Sequence, residues 1–230
     1  VEGNETFTVT IVSVSPNAEI GADSVATVTI ADDDAVVDPP APGDVLYRVN
    51  TGGPVVTATD GGPDWTADTG AIGTAGNSAF LVSTSSGTST YNNASGSSYP
   101  GDVGNAPGVP ASTPLAVFDS ERYDPTDDAT PLAYQFDVGT DHGLQAGDQV
   151  EVRLYFAEIF SGVDAAGERV FDVSLDGVTP PAFDDIDAFA ETGAGNVGFV
   201  RTYVATVDAD GLLDIAFAHG VENPAIKAIE

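Results

Sequence analysis

The chain has no cysteine and no methionine, a single tryptophan, and only 6 Lys+Arg among 230 residues. Without cysteine there is no disulfide framework, no thiolate nucleophile and no thiolate-bound zinc. The scarcity of cations stands against 36 Asp+Glu and a formal net charge of -30. Nucleic acid and anionic lipid surfaces are therefore excluded as partners, because they carry the same sign. No apolar run approaches the ~20 residues that a membrane-crossing helix needs, so membrane insertion is not expected. Catalytic signatures are missing too. The two histidines, His142 and His219, sit in TDHG and AHGV contexts with no G-x-S-x-G or H-E-x-x-H motif. Carboxylate pairs are expected by chance among so many acids, and the chain is read as a non-enzyme.

What is present is 42% hydrophobic residues, ample for a well-buried core at this length. In VEVRLYFAEIF, residues 150–160, Val150, Val152, Leu154 and Phe156 alternate with Glu151, Arg153 and Tyr155. In ERVFDVSLDG, residues 168–177, Phe171, Val173 and Leu175 alternate with Asp172 and Ser174. A period of two predicts half-buried antiparallel strands. Further short strands are predicted near residues 45–49, 115–119, 132–138, 200–207, 212–217 and 226–229, with Gly, Pro or Asp turns between them. That spacing predicts an all-β sandwich with little helix. Residues 77–114 form a long polar stretch holding Tyr91 and Tyr99, and loops of this length inside compact domains usually serve a function.

The surplus of carboxylates repels itself, which predicts a setting where salt or divalent ions screen it, such as a marine or high-salt environment. Five of the six basic residues are arginine, suited to bidentate pairing with carboxylates, and Arg122 is expected to hold an internal ion pair. AVVDPPAPGD, residues 35–44, reads as a stiff linker and a domain boundary. Ahead of it, residues 6–14 and 24–30 alternate Thr or Ser with Phe, Val and Ile, which predicts a two-stranded hairpin. Two strands cannot bury a core of their own.

VEGNETFTVTI followed by SVATVTIADDD, within residues 1–34, resembles the last part of a Calx-β domain. That resemblance implies missing strands supplied from elsewhere and Ca²⁺ as a cofactor, with Glu2, Glu5, Asp32, Asp33 and Asp34 at the family's ligand positions. Clustered carboxylates suit a hard cation, whose charge relieves their repulsion. The upstream Asp pair that completes the family's site has no counterpart in this sequence. A second acidic run, Asp184–Asp187 within FDDIDAF, is a further but weaker candidate for metal, since most such runs are solvent-facing turns.

YRVNTGG at 47–53, DWTAD at 64–68, FDSERYD at 118–124, FAE at 156–158, R-x-FDV from Arg169, and the Asn223-Pro224 pair together make residues 45–230 resemble the malectin family of carbohydrate-binding domains. The resemblance implies a jelly-roll type β-sandwich that binds a glycan without catalysis. Carried onto this chain, the family's sugar contacts fall on Tyr123 of E-R-Y, Phe160 as the first aromatic after FAE, and Glu222 with Asn223 at the N-P turn. A further family tyrosine falls in the polar loop, at Tyr91 first and Tyr99 second. Phe160 stands where the family has tyrosine, Ser161 where it has a second aromatic, and Glu222 where it has aspartate. Stacking of an aromatic on the apolar face of a sugar, with acid or amide groups gripping hydroxyls, is the chemistry implied.

Taken together, the chain is expected to be part of a large secreted or cell-surface bacterial protein, with a glycan and neighbouring domains of the same parent as partners. The alternative is a structural spacer or protein-interaction domain of a repetitive, calcium-stabilised adhesin with no sugar-binding activity.

Overall fold

The computed structural model describes residues 5–22, 24–30, 40, 41, 43–69, 80–83, 89–92, 98, 99, 101–105, 108–127 and 129–230. The chain divides into two compact units, Val1–Asp38 and Pro39–Glu230. The first holds the expected hairpin, β1 (Glu5–Thr10) paired antiparallel with β2 (Val25–Ile30) in the register Phe7↔Val28. Alternation places Phe7, Val9, Val28 and Ile30 on one face and Thr6, Thr8, Thr27 and Thr29 on the other. The apolar row stands about half exposed. Much of the proline-rich segment at 35–44 lies outside the described residues.

The second unit is built from short strands. In chain order they are β3 (Val49–Thr51), β4 (Thr66–Asp68), β5 (Leu81–Ser83), β6 (Ser89–Asn92), β7 (Gly104–Asn105), β8 (Ser120–Tyr123) and β9 (Leu132–Asp137). They continue as β10 (Gln149–Phe156), β11 (Val170–Leu175), β12 (Val197–Thr206), β13 (Leu212–Val221), β14 (Ala225–Ile226) and β15 (Ala228–Ile229). Two single-turn helices, α1 (Val138–His142) and α2 (Ala188–Thr192), interrupt them. A six-stranded sheet runs β4-β3-β15-β10-β12-β7, a four-stranded one β11-β13-β9-β5, and a three-stranded one β14-β8-β6. The architecture is all-β with little helix, as the strand spacing predicts.

The two larger sheets share one core. Val152, Leu154, Phe156, Phe199 and Ile229 from the first meet Tyr134, Phe136, Phe171, Val173, Ile215 and Phe217 from the second. Burying each large apolar side chain contributes about 1.5–3 kcal/mol. The six-stranded sheet is also covered on its other face, where Trp65, Val103, Val117, Phe118, Tyr155, Ile159 and Ala228 form a second cluster. The half-buried reading of residues 150–156 is thereby corrected. Glu151 and Arg153 keep some exposure, but Tyr155 is fully buried because Trp65 and Phe118 pack edge-on against its ring.

Two further expectations change. Residues 115–119 are not a strand: Leu115–Phe118 is a 3-10 turn whose Val117 N–H donates to Pro114 O at 3.1 Å. A four-residue apolar run is equally compatible with a tight turn that drops Val117 and Phe118 into the second cluster. The closing segment 226–229 is not one strand either. It changes sheet at Lys227, from β14 beside β8 to β15 beside β10 and β3. Lys227 N–H donates to Tyr155 O at 3.0 Å, and its carbonyl accepts from Thr51 N–H at 3.0 Å. The crossing is tight enough that Gly52, at φ 68, lies where a Cβ would be 2.1 Å from Glu121 O. Only glycine serves at such a position.

Candidate functional site

The three-stranded sheet frames the candidate site. β8 lies between β14 and β6, in register Tyr123↔Ala225, Arg122↔Ile226, Ser89↔Tyr123 and Tyr91↔Glu121. Cross-strand partners share a face. Glu121 and Tyr123 are therefore on one face with Ala225, and Arg122 with Ile226 on the other.

Nothing in S-E-R-Y is apolar except part of Tyr123, yet Ser120, Glu121 and Arg122 are all buried. Ion pairs make this tolerable. Lys227 Nζ sits 2.6 Å from Glu121 Oε2 with both side chains enclosed. Burial pushes the Lys227 ammonium down from its usual range, against the pull of Glu121 and Glu158. On the opposite face the Arg122 guanidinium grips Asp68 through Nε at 2.8 Å and Nη2 at 2.9 Å. The buried Tyr134 hydroxyl donates to the same carboxylate at 2.7 Å. The internal ion pair expected of Arg122 is present, with Asp68 as its partner.

A third pair links two loops. Arg169 Nε, just ahead of β11, lies 2.8 Å from Glu158 Oε2, with side chains 7% and 2% exposed. The other Glu158 oxygen accepts from Phe160 N–H at 2.9 Å. Burial pushes the Glu158 carboxyl up to about 7, with Arg169 pulling the other way. From its far end Arg169 donates through Nη1 to Asn223 O at 2.6 Å and stands 3.8 Å from Glu222 Oε2. Glu222 holds a left-handed backbone at φ 59, and its carboxylate accepts from the Asn223 N–H. A non-glycine residue in that region is strained by about 1–2 kcal/mol, the kind of outlier that collects at functional positions. Pro224 then follows, its carbonyl accepting from Asp124 N–H at 3.1 Å. Asp124 also accepts from Leu132 N–H at 3.1 Å and stands 3.8 Å from His219 Nε2.

The sequence-derived contacts are thus distributed as follows. Phe160 is tied through Glu158 and Arg169 to Asn223 and Glu222, and Tyr123 is joined to the same turn through Ala225 and Asp124. Phe160 is half-buried with its ring folded over Gly162, where a Cβ would lie 2.5 Å from the ring. The side chain of Tyr91 lies outside the described residues, though its strand position opposite Glu121 is established. Tyr99, the second choice, lies beside the Phe160 loop. Its N–H donates to Ile159 O at 2.9 Å, its hydroxyl donates to Val163 O at 2.6 Å, and its ring packs on Gly195. Sequence reasoning missed Arg169 and Glu158 as the groups that connect these pieces. The clue was present, since both occur inside the motifs quoted for the resemblance.

Of the proposed calcium ligands, Glu2, Asp32, Asp33 and Asp34 lie outside the described residues, as does the side chain of Glu5, which opens β1. Among the described residues no group of three or more His, Asp or Glu gathers as a cation site. In the acidic run at 183–189, Asp187 caps α2, accepting from Ala190 N–H at 2.9 Å, and also accepts from Gly167 N–H at 2.6 Å. A cavity of about 590 Å³ opens between the larger sheets, lined by Leu46, Phe136, Val150, Val152 and Leu213 among others. Tyr123, Phe160, Glu222 and Asn223 do not line it.

Comparison with known proteins places this geometry. The chain is 32% identical over 105 residues to the Receptor-like protein 4 of Arabidopsis thaliana, a match covering 46% of this chain and 16% of that protein. Among solved structures, the plant Receptor-like Kinase FER superposes with a TM-score of 0.62 at 20% identity, covering 80% of this chain and 48% of that one. A chain in the complex of plant peptide RALF23 with FER and LLG2 gives 0.62 at 18% identity, covering 90% and 56%. The ANXUR2 extracellular domain from Arabidopsis thaliana gives 0.60 at 18% identity, covering 80% and 47%. At these identities the likeness is one of fold, and this chain spans about half the length of those receptor chains. The profile described as Malectin domain matches residues 45–229, and with most of its length so matched the chain belongs to the malectin family.

Proposed function

We propose that residues 45–230 are a non-catalytic carbohydrate-binding module that grips a glycan at the rim built by Tyr123, Phe160, Glu222 and Asn223, with Tyr91 of β6 or Tyr99 beside the Phe160 loop contributing. The observation carrying this reading is the fixed frame under the rim. Phe160 and the strained Glu222–Asn223 turn hang from one buried ion pair, Glu158 with Arg169. Rim groups of this kind combine an apolar plane for stacking with an acid and an amide for hydroxyls. Phe160 lacks the hydroxyl of a tyrosine, so the preferred sugar differs from the diglucoside of malectin itself.

The parent protein is read as large, extracellular and bacterial, and its acidity suits a saline setting. The hairpin of residues 1–34 is read as the end of a Calx-β sandwich, with Ca²⁺ at Glu2, Glu5 and Asp32–Asp34 stiffening the junction to a neighbouring domain of the same parent. Its half-exposed apolar row supports the need for further strands. The test is a glycan array probed with the wild type and Tyr123→Ala, with and without Ca²⁺. Binding by the wild type that is lost in a folded Tyr123→Ala supports the groove, and equal binding by both excludes it. The competing role, a spacer or protein-interaction domain, draws support from FER, solved in complex with a peptide and LLG2. An array with no wild-type binding favours that role.

A further inference from the structure

We propose that Glu158 and Arg169 act together as a positioning pair that couples the Phe160 loop to the Glu222–Asn223 turn, so that the two sides of the rim move as one body. The inference deepens the glycan-binding reading and rests on it for its effect on affinity, while the coupling itself stands on geometry alone.

Each end of the pair holds main chain as well as charge. Glu158 accepts the Phe160 N–H at 2.9 Å through one carboxylate oxygen, and its other oxygen pairs by charge with Arg169 Nε, 2.8 Å away but without hydrogen-bond alignment. Arg169 spends Nη1 on the Asn223 carbonyl at 2.6 Å and brings Nη2 to 3.8 Å from Glu222. A planar guanidinium with a fixed fork of donors transmits orientation between such groups in a way an ammonium does not. The main chain of Glu158 adds a third anchor, its carbonyl accepting from Asn196 N–H at 2.8 Å. Burying such a pair does not by itself stabilise a fold, and the geometry it enforces is the role assigned to it. The Asn223–Pro224 turn needs that enforcement, because Glu222 is held at φ 59. Glu158 also faces Glu121, Lys227 and Tyr99. With its carboxyl pushed up to about 7, acidification removes the charge that holds Arg169, and the tie slackens.

The experiment compares the whole wild-type chain with Glu158→Gln, which keeps the shape and loses the charge, and Arg169→Lys, which keeps the charge and loses the fork. Amide hydrogen exchange is read at Phe160 and Asn223, and binding is read against the same glycan panel from pH 5.5 to 8.5. In Glu158→Gln both amides are expected to exchange faster while β9 and β13 keep wild-type protection. In Arg169→Lys the Asn223 amide alone is expected to speed up. Wild-type affinity is expected to fall on acidification through about pH 7. Glu158→Gln should bind about tenfold more weakly at pH 8, the scale of one charged hydrogen bond, and lose the pH dependence. Acceleration confined to Phe160 in Glu158→Gln overturns the coupling. So does a Glu158→Gln affinity profile identical to that of the wild type. If the wild type binds no glycan and both amides still respond, the coupling is upheld and the glycan reading alone fails.

Discussion

Replacing Lys227 by Met removes an ammonium 2.6 Å from the Glu121 carboxylate while keeping much of the side-chain volume. The two side chains are 1% and 3% exposed, so the stranded carboxylate has no water to turn to. Breaking one partner out of a buried pair typically costs ~3–5 kcal/mol, because the remaining charge is left uncompensated. At about 2–4 °C per kcal/mol for a domain of this size, Lys227→Met is expected to melt roughly 10 °C below the wild type at pH 7. Combining it with Glu121→Gln removes the stranded charge and is expected to return most of the stability. Thermal melts followed by circular dichroism, with all three proteins compared, provide the check. A single variant within about 2 °C of the wild type, or a double variant no more stable than the single one, refutes the argument.

Gly52→Ala forces a Cβ to within 2.1 Å of Glu121 O at a backbone φ of 68, and is expected to cost more than ~3 kcal/mol in urea unfolding. A loss below 1 kcal/mol would contradict the close approach of β3 and β8. Glu222→Gly relaxes a left-handed residue and is expected to raise stability by up to about 1 kcal/mol while weakening glycan binding; unfolding midpoints and array intensities report the two effects separately. Glu158 sets a pH signature on stability. Its carboxyl titrates near 4.5 in the unfolded chain and near 7 in the folded one, so the folded chain holds the extra proton between those values. The contribution, about 3 kcal/mol, is full below about pH 4.5 and is lost as pH rises to about 7. Subtracting the pH profile of Glu158→Gln from that of the wild type isolates it, and a difference that grows in the opposite direction disproves the assignment.

β9 and β11 are readable because one face meets an apolar core and the other does not, and the outer half of β10, where Glu151 and Arg153 keep some exposure, is readable for the same reason. Hydrophobic patterning is blind to β8, whose Glu121 and Arg122 are buried by pairing with Lys227 and Asp68, partners distant in sequence. The burial of Tyr155 escapes patterning for a related reason, since the cover on that face is assembled from Trp65 and Phe118, far away in the chain. Residues 226–229 look like one apolar strand broken by a single lysine, and that lysine is where the chain changes sheet. The resemblance motifs brought Tyr123, Phe160, Glu222 and Asn223 to attention as rim residues. It did not reveal that the acids and bases inside those same motifs, Glu158, Arg169, Glu121 and Lys227, are the internal wiring that sets the rim in place.

All six arginine and lysine side chains are engaged with a carboxylate: Arg48 with Asp60 and Glu230, Arg122 with Asp68, Arg153 with Glu151, Arg169 with Glu158, Arg201 with Glu191 and Lys227 with Glu121. Trypsin cuts only after such residues. Here Arg48, Arg122, Arg169 and Lys227 are buried, while Arg153 and Arg201 lie on the paired strands β10 and β12. A protease of that class must seat the cationic side chain in its pocket, and in the folded protein four of the six are enclosed and the other two lie within paired strands, while the one lysine offers amine-directed reagents no reachable side chain. Digestion and labelling become direct reporters of unfolding.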